Sequence, residues 1–353
     1  MLPIFDGHND VLLRLLKKGE PDNGVASFLD GDGAGQLDLP RALAGGLRAG
    51  LFAVFVPNGE GDLQNIDEIM RREAYDIPLP AEIELTYSQA MAARMAALLH
   101  RIVRQSEGAV RLCRSAADIR TATRENALAA VLHFEGAEPI DADFAMLEIF
   151  YQAGLRSLGP VWSRANIFGH GVPLRFPGSP DCGPGLTDAG KALVRQCNAM
   201  RIAIDLSHMT EQGFWDVAAI SDAPLIASHS NAHALCPSAR NLTDRQLAAI
   251  RERRGIVGIN FAASFLRADG RMLRDTPLED VIRHADHLIE KLGVAHVGLG
   301  SDFDGAVIPA DIGSAAGLQN LVEAFRRADY DEATLRRLLF DNWLDVLDRT
   351  WGG

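Results

Sequence analysis

The sequence predicts an α/β fold, a (β/α)8 TIM barrel with loop insertions on its C-terminal face, and three observations carry that prediction. Eight short β-type apolar runs are spaced along the chain, amphipathic stretches separate most of them, and histidines or carboxylates stand at the ends of several runs. Alternating β and α elements imply a parallel sheet, because each crossover returns the chain to start the next strand in the same direction. A chain of 353 residues fits one such barrel with insertions, although two small domains would also fit that length. We expect residues 1–353 to form one barrel domain.

The strands are expected at 3–6, 51–55, 128–133, 155–161, 202–207, 225–228, 256–260 and 297–301. Between them, apolar positions three or four apart predict helices over 87–105, 144–153, 188–199, 211–218, 244–253, 278–291 and 318–327, with a closing helix over 332–347. Thr187, Thr210 and Thr243 precede three of these helices and supply hydroxyls suited to N-caps. The segments 18–39, 57–80, 164–185 and 262–276 are long and Gly/Pro-rich or irregular. In a barrel, such insertions tend to build the active-site face.

Hydrophobic residues make up 47% and charged residues 23% of the chain, which excludes a disordered protein and predicts a large core. Lys plus Arg number 35 against 47 Asp plus Glu, a net charge of −12. Nucleic acids and anionic membranes bind through clustered cations, so neither is expected as a partner, while a local basic pocket for an anionic substrate stays compatible. Cys113, Cys182, Cys197 and Cys236 are too far apart for a CxxC metal knuckle and suggest no disulfide framework. With no secretory leader pattern at the N-terminus and no long apolar run, a cytoplasmic protein is expected.

Chemistry gathers at the strand ends. His8 and Asp10, in Asp6-Gly7-His8-Asn9-Asp10, follow the first strand with a spacing of two, which lets both reach one metal from an extended chain. The alternative is a turn of small polar residues. Glu135 ends an apolar run and precedes Gly136, so a carboxylate able to bridge two cations sits where the chain can turn; alone it would read as a solvated loop residue. His133, two residues earlier, reads as a supporting donor or a core residue. His208 and His229 end consecutive strands, which favours a shared metal over two structural histidines. Asp205 lies an odd number of residues before His208, so in a fully extended strand it faces the other way, and it receives no role. Asp302 and Asp304 close the eighth strand, and one of them should reach the site as an acid/base.

Taken together, DGHND, HFEGAE, IDLSHM, ASHSNAH with PSARNL, and GLGSDFDG resemble the membrane dipeptidase (renal dipeptidase) family of zinc peptidases, within the amidohydrolase superfamily. The motifs run in family order from residue 6 to residue 305. The resemblance implies a distorted (β/α)8 barrel holding two Zn²⁺ ions, with His8 and Asp10 on one, His208 and His229 on the other, and Glu135 bridging them. It implies Asp302 as the catalytic acid/base and Arg240 as the group that binds the substrate carboxylate. Imidazole and carboxylate ligands suit zinc, and a bridged pair can bring a shared water towards ionisation at neutral pH.

The expected reaction is therefore attack of a metal-bridging hydroxide on the peptide bond of a dipeptide, including L,D-dipeptides. Arg240 would select the free C-terminal carboxylate through its planar fork. Vertebrate members carry a histidine after the fourth strand, and Trp162 occupies that place here. Indole offers one donor and a large apolar face, so Trp162 is expected to touch substrate and to alter its range. The nearest rival is a related hydrolase of N-acyl amino acids, lactams or lactones; a metal-binding barrel without catalysis is another. The family often pairs subunits, so the resemblance implies a homodimer.

Overall fold

The computed structural model describes residues 1–19, 21–58 and 66–352. Eight parallel strands form a nearly closed barrel: β1 (Ile4–Asn9), β2 (Leu47–Phe55), β3 (Leu128–Glu135), β4 (Leu155–Gly159), β5 (Ala203–Ile204), β6 (Ile226–Ala227), β7 (Ile256–Asn260) and β8 (Val297–Gly300). Each overlaps one of the expected strands. Hydrogen-bonded neighbours follow the order β5-β4-β3-β2-β1-β8-β7-β6, and a parallel bridge between Asp205 and Ile226 joins β5 to β6. The distortion sits at that seam, where both strands are only two residues long.

The pleat of β3 shows how sequence builds the two layers. Leu128, Ala130, Leu132 and Phe134 face outward into the cluster shared with the surrounding helices, while Ala129 and Val131 face the barrel interior. That interior is filled from below by the C-terminal segment. Trp343 stacks on Phe5 with ring centroids 5.3 Å apart and donates its indole N–H to the Leu299 carbonyl at 2.9 Å. With the N-terminal end plugged by Phe340, Trp343 and Leu347, a cavity can open only at the other end.

The Thr caps form as expected: Thr187 accepts from Gly190 N, Thr210 from Gly213 N, and Thr243 pairs reciprocally with Gln246. Helices Val11–Leu16, Pro21–Leu29, Leu39–Gly45 and Ala116–Arg124 are additions to the expected set. Pro21–Leu29 lies inside the segment read as irregular; its Asn23 and Gly24 weaken helix propensity, and burial of Val25 and Phe28 overrides it. The closing helix is interrupted by a π-helical turn, Arg337–Asp341, between Glu332–Arg336 and Asn342–Trp351. Leu338, Leu339 and Phe340 are all buried there.

The insertions wall the C-terminal face. Residues 59–65 of the 57–80 segment lie outside the described residues, but Tyr75–Ile77 of that segment pairs antiparallel with Leu174–Phe176 of the 164–185 segment. Met70, Tyr75, Phe176, Cys236, Phe265 and Met272 form an apolar cluster separate from the barrel core. Cys113, Cys182, Cys197 and Cys236 are free thiols. Among the described residues, no helix is long and apolar enough to cross a membrane.

Candidate metal centre

The alternation that turns Ala129 and Val131 inward continues to His133 and Glu135, so β3 delivers a carboxylate to the top of the barrel interior. Gly136 then adopts φ +92°, a left-handed conformation that glycine takes without a Cβ penalty and that turns the chain away. On β1, pairing with β2 is irregular between Asp6 and Asn9, and His8 and Asp10 both reach the same space. Beyond β5 the chain pairs once more at Asp205 and then turns at Ser207 and His208, with His208 at φ 66°. His229 stands two residues beyond β6, after Ser228.

These side chains converge on one atom. Glu135 Oε1 lies 2.9 Å from His208 Nε2, 3.4 Å from His229 Nε2 and 3.6 Å from His8 Nε2. The His8 and Asp10 side chains are 3.3 Å apart, and the Nε2 atoms of His208 and His229 are 3.1 Å apart. Two triads of metal-ligand spacing share Glu135, namely His8, Asp10, Glu135 and Glu135, His208, His229; a third joins His8, His229 and Asp302. Both nitrogens of His8, fully buried, lack a hydrogen-bond partner, as does buried Asp10 Oδ1. Buried imidazole and carboxylate atoms rarely stay unpaired without a reason, and a bound cation would satisfy them.

The electrostatics demand positive charge at the same place. Burial raises the Glu135 carboxyl well above its usual range, and Asp10 and Asp302 reinforce the shift while His8 opposes it. Burial works to lower His8, yet the carboxylates of Glu135 and Asp10 lift it to about 10. Burial holds His208 and His229 well below the usual imidazole value, so they are neutral and able to donate lone pairs. The donor set, three imidazoles and two or three carboxylates, fits zinc-type divalent ions.

Around this centre lies a cavity of about 390 Å³. Asp10, Glu135, His208 and Asp302 line one side, and Phe55, Met70, Trp162, Leu174, Phe265 and Met272 line the other. Asp302, at φ 61°, accepts from Asn260 Nδ2 at 2.9 Å through Oδ2. A Cβ on Gly305 would stand 2.1 Å from Asp10 Oδ2 and 2.7 Å from Asp302 Oδ1, so only glycine leaves both carboxylates in place. Asp304 is instead held by the Arg14 guanidinium and the backbone of Gln36, which settles which of the two aspartates faces the ligand cluster.

Arg240 is 3% exposed, not a surface residue. It donates to the His229 carbonyl at 3.0 Å and to Ser230 Oγ at 3.4 Å, lies 5.4 Å from the centre of the Phe265 ring, and has no partner at Nε. Trp162 packs against Phe55 and His208 with centroids 4.9 and 5.7 Å away. Arg164 is buried beneath those rings, paired with Glu138 at 3.0 Å and with Asn58 and the Val56 carbonyl. His133 is buried against Ser157 Oγ at 2.9 Å and belongs to none of the three ligand groups. Sequence reasoning missed Asn260, Ser163, Ser228 and Asp205, whose contacts depend on neighbouring strands; the repeated Ser-His pairs at 207–208 and 228–229 were the available signal.

A parallel barrel with a carboxylate shared by two imidazole-bearing triads at its C-terminal end defines a metal-dependent hydrolase. The model of the membrane dipeptidase family (peptidase family M19) matches residues 1–351, and the chain belongs to that family. The crystal structure of the metallopeptidase dipeptidase AC is 52% identical, with a TM-score of 0.97 and coverage of 100% of this chain and 99% of its own. A Rhodobacter sphaeroides metallopeptidase, bound to a phosphinate mimic of L-Ala-D-Ala, gives the same identity and TM-score over 99% of both chains. An uncharacterized Klebsiella pneumoniae protein of the pqqA 5′ region is 52% identical over 255 residues, 72% of this chain and 94% of its own length. The protein is a metallo-dipeptidase.

Proposed function

We propose that the protein is a dinuclear zinc dipeptidase that cleaves dipeptides with a free C-terminal carboxylate, L,D-dipeptides among them, with residues 1–353 acting as one catalytic domain. The observation that carries this reading is the sharing of Glu135 by the two triads. His8 and Asp10 would hold one ion, His208 and His229 the other, with Glu135 between them. When bound, the zinc pair supplies Lewis acidity towards a carbonyl and a water that ionises near neutral pH.

The chain's own residues then divide the remaining work. Asn260 fixes Asp302 Oδ2, leaving Oδ1 free to take a proton near the centre and release it to the departing amide nitrogen. Arg240, desolvated and with Nε unpartnered, presents a charged donor for the substrate carboxylate. Trp162 and Phe55, with rings inclined at 60° to each other, offer an apolar wall for the substrate. The mimic of L-Ala-D-Ala bound by the R. sphaeroides relative supports dipeptides of mixed stereochemistry as substrates.

The test of the carboxylate reading is Arg240→Ala. Loss of a charge-assisted contact, about 1.5–3 kcal/mol, predicts a KM for dipeptides roughly 10- to 100-fold higher, with kcat changed much less. An unchanged KM would refute the clamp and bring forward substrates that need no free carboxylate, such as lactams or lactones.

A further inference from the structure

The imidazoles that follow β5 and β6 are anchored differently on their far sides. His208 Nδ1 meets the hydroxyl of Ser163 at 2.9 Å. His229 Nδ1 meets Ser228 Oγ at 2.7 Å, and Ser228 Oγ donates onward to Asp205 Oδ2 at 2.5 Å. The other oxygen, Asp205 Oδ1, accepts from Ser228 N at 2.7 Å and Ser207 N at 3.1 Å. All of these groups are buried.

A hydroxyl carries one proton. Because Ser228 gives that proton to Asp205, it can meet His229 only as an acceptor, which places a proton on His229 Nδ1. The lone pair is then on Nε2, the nitrogen aimed at Glu135 Oε1 and His208 Nε2. We propose that Asp205 and Ser228 form a positioning relay that fixes the tautomer and ring plane of His229 and so prepares its Nε2 to bind metal. The inference rests on His229 being a metal ligand, as read above. It gives Asp205, a residue whose spacing suggests no role, a function exerted through Ser228 and His229 rather than on substrate.

A purely structural role is the competing account, since the Ser228 N–H bond to Asp205 also ties β6 to β5. Ser228→Ala separates the two, because it keeps that backbone bond and removes only the hydroxyl. The relay predicts zinc affinity, measured by competition with a chelator, weaker by about 10- to 100-fold, the usual cost of losing a group that orients a ligand. It also predicts a slowly exchanging imidazole Nδ1–H signal in ¹⁵N-edited spectra of the zinc-loaded protein that disappears in Ser228→Ala. Asp205→Asn should weaken zinc in the same direction, and the wild-type spectrum alone reports the tautomer if either variant fails to fold.

Zinc affinity within twofold of wild type in Ser228→Ala, with only the melting temperature lowered, would overturn the relay, as would a His229 Nδ1 without a proton. His229→Ala distinguishes the two levels. If it too keeps both zinc ions at wild-type affinity, the ligand reading itself fails; if it loses metal while Ser228→Ala does not, only the relay fails.

Discussion

Glu135→Ala is expected to abolish turnover and to lower bound zinc from two ions per chain to one or none, measured by elemental analysis after dialysis. Glu135 is the one carboxylate present in both triads, and its Oε1 lies within 3.6 Å of three imidazoles. Without it each ion would keep two protein ligands, below the three that catalytic zinc sites use. His208→Ala should act on one ion only, leaving roughly one zinc and little activity. A Glu135→Ala protein that retains two zinc ions would remove the bridging role.

Asp302→Asn is expected to do the reverse, keeping both metals while lowering kcat by roughly 10²- to 10⁴-fold, the range general acid–base groups supply. The replacement is isosteric, and its amide oxygen can still accept from Asn260 Nδ2, so the local packing around β7 and β8 persists. What is lost is the ability to take a proton at Oδ1. Burial raises the Asp302 carboxyl, opposed by His8; cations bound at the centre would act in the same sense as His8 and hold it ionised at neutral pH. Full turnover in zinc-loaded Asp302→Asn would exclude it as the acid/base.

The fold was legible where burial writes itself as composition. β3, with its run Leu-Ala-Ala-Val-Leu-His-Phe-Glu, could be placed from apolarity alone, and the same pleat placed Glu135 beside His133 on the barrel interior. Helix Leu318–Arg327 matched its predicted limits because its apolar stripe is uninterrupted. Legibility ended where tertiary contacts override local preference, as in Pro21–Leu29, or where a helix changes pitch, as at Arg337–Asp341. The residues of the His/Glu/Asp cluster were readable at the strand ends, but the contacts of Asp205 were not. Asp205 shares the parity of inward-facing Ala203 and stays paired with Ile226; the turn at Ser207 and His208 is what breaks the odd-number count to His208, and Asp205 meets Ser228 on the neighbouring strand. The place of Arg164 was equally illegible, since its partner Glu138 lies 26 residues away in sequence and draws it under Trp162.

The most direct test of the dinuclear dipeptidase account is amine release by the zinc-reconstituted protein from a panel of L,L- and L,D-dipeptides, run beside the matching N-acyl amino acids and a lactam. The account predicts dipeptide turnover, L,D-dipeptides included, that a chelator abolishes and zinc restores. Binding of two zinc ions with no dipeptide cleaved, or with cleavage confined to the N-acyl or lactam substrates, would contradict it.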